Sequence, residues 1–549
     1  MKKYDSSVWV PVIVAFAFVA GLFCSVLLHK DSGRSLTEKK LGNIFNIIES
    51  EYVEEVDIDS LIEATLPSLL SNLDPHSVYI PASDLQQVNE ELEGSFSGVG
   101  VSFTIDNDTI FVIESISGGP SERVGIKAGD RIIEVDGQSV AGIGITNDSV
   151  FSKLRGETGT IVNLTVKRSG ASQPLHFEVE RGEIPIKSID AEYIISPKIG
   201  YVKINKFGRT TYDEFWQSLN SLSESGAEDF IIDLRGNPGG LLDAAVLMAN
   251  EFLPAGFKIV ETKGRKRVDN TVIMSDGMGA FQNSRVIILL DEFSASSSEV
   301  LAGAIQDNDR GLIIGRRSFG KGLVQHQIDL PDNSAMRITV ARYYTPSGRC
   351  IQKDYSDAES YQTEIIERYN RGEAYDADSI KFDESMQYAT IGGRTVYGGG
   401  GIMPDIFIPN DTLGYTGYFM NVVNAGLLQK FSLKYADENR QKFEEAGDVD
   451  DLLQLLGSDY DLLRSFVRFA SDNGIAPRWY YINISRDLIV NQLKALIARD
   501  ILGIGAYYQI VNVTNPVVVE AIKCLKAGDA DFPIVNKAAD EAKVADAVE

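Results

Sequence analysis

The sequence predicts a multidomain protein that joins α/β and α+β units, and three observations carry that prediction. From Ile199 onward, apolar strand-like runs alternate with amphipathic helical ones, the pattern of mixed α/β layers. Between about Leu92 and Glu183 the chain turns instead to short strands broken by glycine turns. From 410 to 530 the apolar residues fall at helical spacing, as with Leu462, Phe466 and Phe469 on one face. At 549 residues the chain is too long for one ordinary core, so several folded units are expected.

Composition narrows the functions open to it. Lys and Arg number 52 against 78 Asp and Glu, a formal charge of −26. Such a surface repels phosphate backbones, which argues against a nucleic-acid partner. Cys24, Cys350 and Cys524 offer no metal-ligand spacing, and no disulfide is expected among them. No metal or cofactor is implied.

At the N-terminus an uncharged apolar run from Val8 to Leu28 follows Lys2 and Lys3. It matches the roughly 20 residues a bilayer-spanning helix needs. No Ala-x-Ala cleavage site follows it, so it reads as an uncleaved signal-anchor, with the two lysines keeping the short N-terminus in the cytoplasm. Ser35-Leu36-Thr37-Glu38 then has the form of a capping box, and Leu41, Ile44, Phe45, Ile48 and Tyr52 continue at helical spacing. A second helix is expected from Ser60 to Leu73, closed by Asp74-Pro75.

In the next region Gly98-Val99-Gly100-Val101 is followed by Gly118-Gly119-Pro120 and then by Gly125-Ile126-Lys127-Ala128-Gly129-Asp130-Arg131-Ile132-Ile133-Glu134-Val135-Asp136-Gly137. The longer string resembles a PDZ domain. That resemblance implies strand addition of an extended peptide whose terminal carboxylate enters a nest of backbone N–H groups. Gly98, Val99, Gly100 and Val101 match the carboxylate loop. A helix over 147–154 is expected to form the other wall, with Val150 and Leu154 lining it.

The chemistry is expected between Ser294 and Gln325. The run Val286 to Leu290 reads as a buried strand that feeds Ser294-Ala295-Ser296-Ser297-Ser298-Glu299 at the start of a helix. Ser296 at a helix N-terminus would have free N–H groups and the positive dipole end beside it, which favour an attacking alkoxide and a later oxyanion. A serine hydroxyl also needs a base. Lys321 is suited to that role, since Phe319, Leu323 and Val324 around it are apolar and no acidic residue lies between Arg310 and Ile328. Gln325 is placed to hydrogen-bond its amine. Ser294, Ser297 and Ser298 remain alternative nucleophiles, and His326 would serve a Ser-His-Asp triad, although on a strand it faces away from Gln325. Ser318-Phe319-Gly320-Lys321 and Ser471-Asp472-Asn473 mimic penicillin-binding motifs, but Gly315, Gly320 and Gly322 break the helix that chemistry needs.

The serine cluster together with Lys321-Gly322-Leu323-Val324-Gln325 resembles the carboxyl-terminal processing peptidases, a family of Ser–Lys proteases. Leu73-Asp74-Pro75-His76-Ser77, Arg235-Gly236-Asn237-Pro238-Gly239-Gly240, the stretch from Ala335 to Arg349 and Gly398 to Asp405 match the same family. The resemblance implies Ser296 as nucleophile, Lys321 as general base and Gln325 as the residue orienting it. It also implies oxyanion donors from the Ser297 N–H and one amide of Gly239 or Gly240, on a crotonase/ClpP-like core. His76 reads as a packing or turn residue. The divisions become 1–30 cytoplasmic stub and transmembrane anchor, 31–90 helical segment, 91–184 PDZ domain, 185–409 serine protease core, 410–530 helical C-terminal region and 531–549 flexible tail.

The function implied is an extracytoplasmic serine endopeptidase, anchored by one helix in a bacterial inner membrane with its body in the periplasm, acting on protein substrates with apolar C-terminal tails. A homo-oligomer or a regulatory partner is compatible with it. The alternative is a non-catalytic PDZ scaffold or chaperone that binds exposed tails.

Overall fold

The computed structural model describes residues 36–527 apart from Ser117 and Phe382. The apolar run from Val8 to Leu28 and the tail from 531 lie outside the described residues. Among the described residues no helix is long and apolar enough to cross a membrane.

Two units are distinguished, one ending at Asp74 and one beginning at Pro75. In the first, helices span Leu36–Glu51 and Ile58–Ser71; Asp57 caps the second by accepting from the Asp59 and Ser60 N–H groups. Within the stretch expected to be helical over 31–90, residues 78–80 belong to the second unit and form a strand that pairs in antiparallel register with Ala335 to Arg337.

The second unit is built on a six-stranded sheet. Its strands are β1 (Ile189–Ser196), β2 (Ile199–Ile204), β3 (Asp229–Asp233), β4 (Val286–Leu290), β5 (Leu312–Gly315) and, at its far edge, Ile406–Phe407. The β1–β2 pair is antiparallel and every later pair is parallel. Strands β2, β3 and β4 are buried at every position, which is why β4 and the middle of β3 read as apolar runs. Parallel strands deliver their carboxyl ends to one edge of the sheet, where ligand sites collect in open α/β folds. The loops after β3 and β4 both leave from that edge.

One face of this sheet packs on helices α1 (Thr211–Glu224), α2 (Leu242–Asn250) and α3 (Ser297–Asp307), with Phe215, Leu219, Met248, Leu301 and Ile305 in the shared core. The other face, carrying Tyr201, Ile231, Ile287, Leu289 and Ile314, is covered by helix α4 (Pro516–Lys526) through Val517, Val518, Ala521 and Leu525. A second sheet contains Ala335–Tyr344, which pairs with Leu323–Asp329 on one side and with Lys258–Gly264.

The module expected over 91–184 folds around Val99, Ile110, Val112, Ile132, Val150, Leu164 and Val179. Its helix spans Asn147–Leu154, capped by the Thr146 hydroxyl, which accepts from Ser149 N–H. The C-terminal region is helical from Gly417 and holds its own core. The long helix expected to run from Leu488 to Ile504 spans Arg486–Leu502; it stops at Gly503, and a separate helix covers Ile504–Val511. Gly503 has φ +89°, a conformation other residues rarely adopt, and so it breaks the helical run.

Candidate active site

Strand β4 ends at Leu290, and six residues later the chain enters α3 through Ser296. Ser296 has φ +54° and ψ −114°, a strained conformation for a residue with a side chain. The turn is held from two sides. The buried Glu299 carboxylate, one helical turn on, accepts from Ser296 N–H at 2.8 Å. The buried Tyr343 hydroxyl reaches the Ser296 carbonyl at 3.2 Å.

The four clustered serines have different fates. Ser294 donates to the Leu234 carbonyl at 2.9 Å, Ser297 to the Gly240 carbonyl at 2.9 Å and Ser298 to the Asn237 carbonyl at 3.0 Å. All three are buried. Ser296 is half-buried and lines a cavity of about 350 Å³ that also takes in Lys321, Gln325, Gly239 and Gly240. Leu92, Leu241, Val300, Leu323 and Val324 supply its apolar walls.

Lys321 precedes the strand Leu323–Asp329. Its Nζ donates to Gln325 Oε1 at 3.0 Å, and Gln325 Nε2 donates to the carbonyl of His76. His76 therefore contributes through its backbone, which aims the glutamine that aims the lysine. Its ring Nε2 lies 2.5 Å from the Tyr361 hydroxyl, with the two rings edge to face. His326 lies exposed on the same strand as Gln325. The structure brings Ser296, Lys321 and Gln325 to one cavity; its lining residues do not include His326.

Two clamps join the Lys321 loop to the Ser296 turn, and reading the sequence assigned neither. Glu299 is wholly buried and receives four donors: Ser318 Oγ–H at 2.5 Å and Gly320 N–H at 2.7 Å on one oxygen, and Lys321 N–H at 2.8 Å with Ser296 N–H at 2.8 Å on the other. Burial pushes its carboxyl up to about 7, against those hydrogen bonds, which favour the ionised form. Tyr343, the second clamp, also donates to the Lys321 carbonyl at 2.7 Å. The Ser-x-x-Glu spacing from Ser296 to Glu299 was a usable signal for the first clamp. The second had none, because a buried tyrosine reads as core.

The loop after β3 lies directly against Ser296. Asn237 Oδ1 accepts from Gly239 N–H at 2.8 Å, so that amide is spent. Among the described residues neither Gly240 N–H nor Ser297 N–H has an acceptor. Gly239 has φ +97°, and a Cβ there would come within 2.7 Å of Ser296 Cβ and 2.9 Å of Ser297 N. A Cβ on Gly240, at φ +147°, would come within 2.0 Å of the Phe207 carbonyl. Gly239→Ala is expected to lower kcat by about 10²-fold by pushing the serine turn aside, with a smaller fall in Tm than Gly240→Ala, whose added Cβ would overlap its neighbour more deeply. Steady-state kinetics beside thermal melts of the two variants check this.

Gly98 to Val101 form the bend between Ser95–Gly98 and Val101–Asp106. The Val99 and Gly100 carbonyls accept from Ser121 N–H at 2.9 Å and Ile116 N–H at 3.0 Å, which turns the bend's carbonyls inward. Val150 and Leu154, expected to line the groove, are 0% and 4% exposed and lie in the module's core with Val99. The pair are four residues apart, on the helix stripe that faces the sheet. Phe151, next to Val150 along the helix, is 40% exposed and packs edge to face with Phe103 at 5.4 Å.

A serine on a strained strand-to-helix turn, a neighbouring amine and unspent amides define a serine-type hydrolase, with a peptide-binding module inserted in its fold. Residues 198–358 match the model of peptidase family S41, 111–168 that of the PDZ domain, and 418–503 a family of unknown function (DUF8443). The carboxy-terminal-processing protease of Bartonella bacilliformis is 37% identical over 350 residues, covering 61% of this chain and 79% of its own. The carboxy-terminal processing protease CtpB of Bacillus subtilis is 32% identical over 330 residues, covering 59% of this chain and 67% of its own. A solved photosystem II D1 C-terminal processing protease is 28% identical and covers 60% of this chain and 96% of its own, with a TM-score of 0.32. The chain belongs to the carboxy-terminal processing proteases of peptidase family S41, and it is a serine peptidase with a PDZ domain.

Proposed function

We propose that this protease is an extracytoplasmic endopeptidase held at a bacterial inner membrane by the Val8 to Leu28 segment, and that it selects protein substrates by apolar C-terminal tails docked in its PDZ module. One observation carries the catalytic assignment: Ser296 alone of the four clustered serines lines the cavity with its hydroxyl not given to a backbone carbonyl, and Lys321 lines the same cavity.

Lys321, as the neutral amine, takes the Ser296 hydroxyl proton while Oγ attacks the scissile carbonyl carbon. Ser297 N–H and Gly240 N–H hold the oxyanion of the tetrahedral intermediate. As the C–N bond breaks, the Lys321 ammonium returns the proton to the leaving amine. A water then repeats the sequence on the acyl-serine ester, and its proton passes through the same amine. Gln325 keeps Nζ directed throughout. The apolar walls from Leu92, Leu241, Val300 and Leu323 favour an apolar side chain beside the cleaved bond.

Mass-spectrometric digestion of an unstructured protein with an apolar C-terminus tests this reading. Ser296→Ala is expected to abolish cleavage and His326→Ala to leave it within about twofold of the parent. Cleavage by Ser296→Ala, or its loss in His326→Ala, would sink the Ser–Lys assignment.

A further inference from the structure

The C-terminal region carries no catalytic constellation of its own, yet its last described helix reaches the loop that bears the Gly240 amide. Asn515, at the N-cap of α4, accepts on Oδ1 from Val517 N–H at 3.1 Å and Val518 N–H at 3.3 Å. The same oxygen accepts from Arg235 Nη1 at 2.9 Å. Arg235 opens the loop that leads through Asn237 to Gly239 and Gly240.

Each of the three guanidinium nitrogens has a partner. Nε donates to Asp233 Oδ1 at 2.9 Å and Nη2 to Asp233 Oδ2 at 2.5 Å, while the Arg235 N–H donates to Oδ1 at 3.0 Å. Buried Asp233 also accepts from the Tyr201 hydroxyl at 2.6 Å, and Lys203 Nζ donates to the Arg235 carbonyl. Every one of these contacts except that to Asn515 comes from β2 or β3, beneath the loop. Asn515 approaches from α4 and fixes the remaining guanidinium nitrogen. Downstream, Asn237 transmits the position: its side chain takes the Gly239 N–H, and its carbonyl accepts from Ala295 N–H at 3.0 Å, one residue before the nucleophile.

We propose that Asn515 is a positioning residue for the oxyanion site: by holding Arg235 it fixes the loop that presents the Gly240 amide, and so makes the C-terminal helical region part of the protease's catalytic machinery. The inference rests on the reading of Gly240 N–H and Ser297 N–H as oxyanion donors. Because α4 covers one face of the sheet while its N-cap residue holds the catalytic loop, a shift of this helix is felt at the reacting carbonyl.

The test uses the full chain and separates capping from positioning. Ser at 515 still caps a helix but is too short to reach Arg235, whereas Asp keeps both contacts. Asn515→Ser is expected to lower kcat about tenfold, and the affinity for a peptidyl aldehyde in parallel, with KM and Tm near those of the parent. Asn515→Asp is expected to restore kcat to within about twofold. A kcat for Asn515→Ser within about twofold of the parent, an equal loss in Asn515→Asp, or a kcat loss accompanied by a matching fall in Tm overturns the proposal. Ser296→Ala run alongside separates the two failures: if it still cleaves, the nucleophile assignment is wrong, whereas an inactive Ser296→Ala beside a fully active Asn515→Ser defeats only the role of Asn515.

Discussion

Lys321→Ala is expected to reduce kcat by about 10³- to 10⁴-fold while leaving KM and Tm close to the parent's. The serine turn itself does not lean on the amine: Ser296 is held by Glu299 and Tyr343 through backbone groups. The substitution removes the proton acceptor and leaves Gln325 Oε1 without its 3.0 Å donor, while the Gln325 bond to the His76 carbonyl survives. Ground-state binding depends on the apolar walls, so the loss falls on the chemical step and KM holds. Single-turnover cleavage of a peptide checks this. A residual rate within about tenfold of the parent would show that another group takes the serine proton.

Glu299→Gln is expected to lower kcat by about 10²-fold with little loss of stability. The four donors saturate a carboxylate, two on each oxygen. An amide offers one accepting oxygen, so two donors lose their partner and meet an NH₂ group. If the amide nitrogen faces Ser296 N–H and Lys321 N–H, the nucleophile and base turns are pushed apart together. Losing the buried charge offsets the cost to stability, since holding that carboxyl near 7 disfavours the ionised folded state by roughly 3 kcal/mol.

The pH dependence follows with a definite sign. A carboxyl whose folded value is raised from 4.5 to about 7 contributes stability below 4.5 and loses it as pH rises through about 7. The parent should therefore lose stability relative to Glu299→Gln across that window. Activity runs the other way, because the ionised form accepts all four bonds, so kcat should rise through a midpoint near 7. Paired pH profiles of kcat and Tm test both slopes. An acid limb unchanged in Glu299→Gln would assign it to another group.

Much of this site was legible in the sequence, for identifiable reasons. The strand Val286–Leu290 and the helix Asn147–Leu154 announce themselves through burial and periodicity. Ser296 and Lys321 were singled out because the serine cluster and the Lys321-Gly322-Leu323-Val324-Gln325 run together match the pattern of the processing peptidases. What stayed hidden works through the backbone or over long range. The His76 carbonyl that aims Gln325 has no side-chain signature, and an unremarkable asparagine at 515 meets Arg235 only after the helical region has folded back. The burial of Val150 and Leu154 stayed hidden too, because spacing gives the stripe of a helix but not which stripe faces the core.

The peptide-binding module enters and leaves its host through one paired ribbon. Ser95–Gly98 and Gly182–Pro185 run antiparallel, Ser95 opposite Pro185 and Gly98 opposite Gly182, and Ile186 N–H donates back to the Gly94 carbonyl. The module is thus an insertion on a single stalk rather than a bead on a string. Any turn it makes pivots on that stalk and must break the Arg131–Asp437 and Arg155–Glu90 ion pairs that also hold the module, while replacing it with a foreign domain amounts to a graft at two adjacent cut points that leaves every strand of the six-stranded sheet intact.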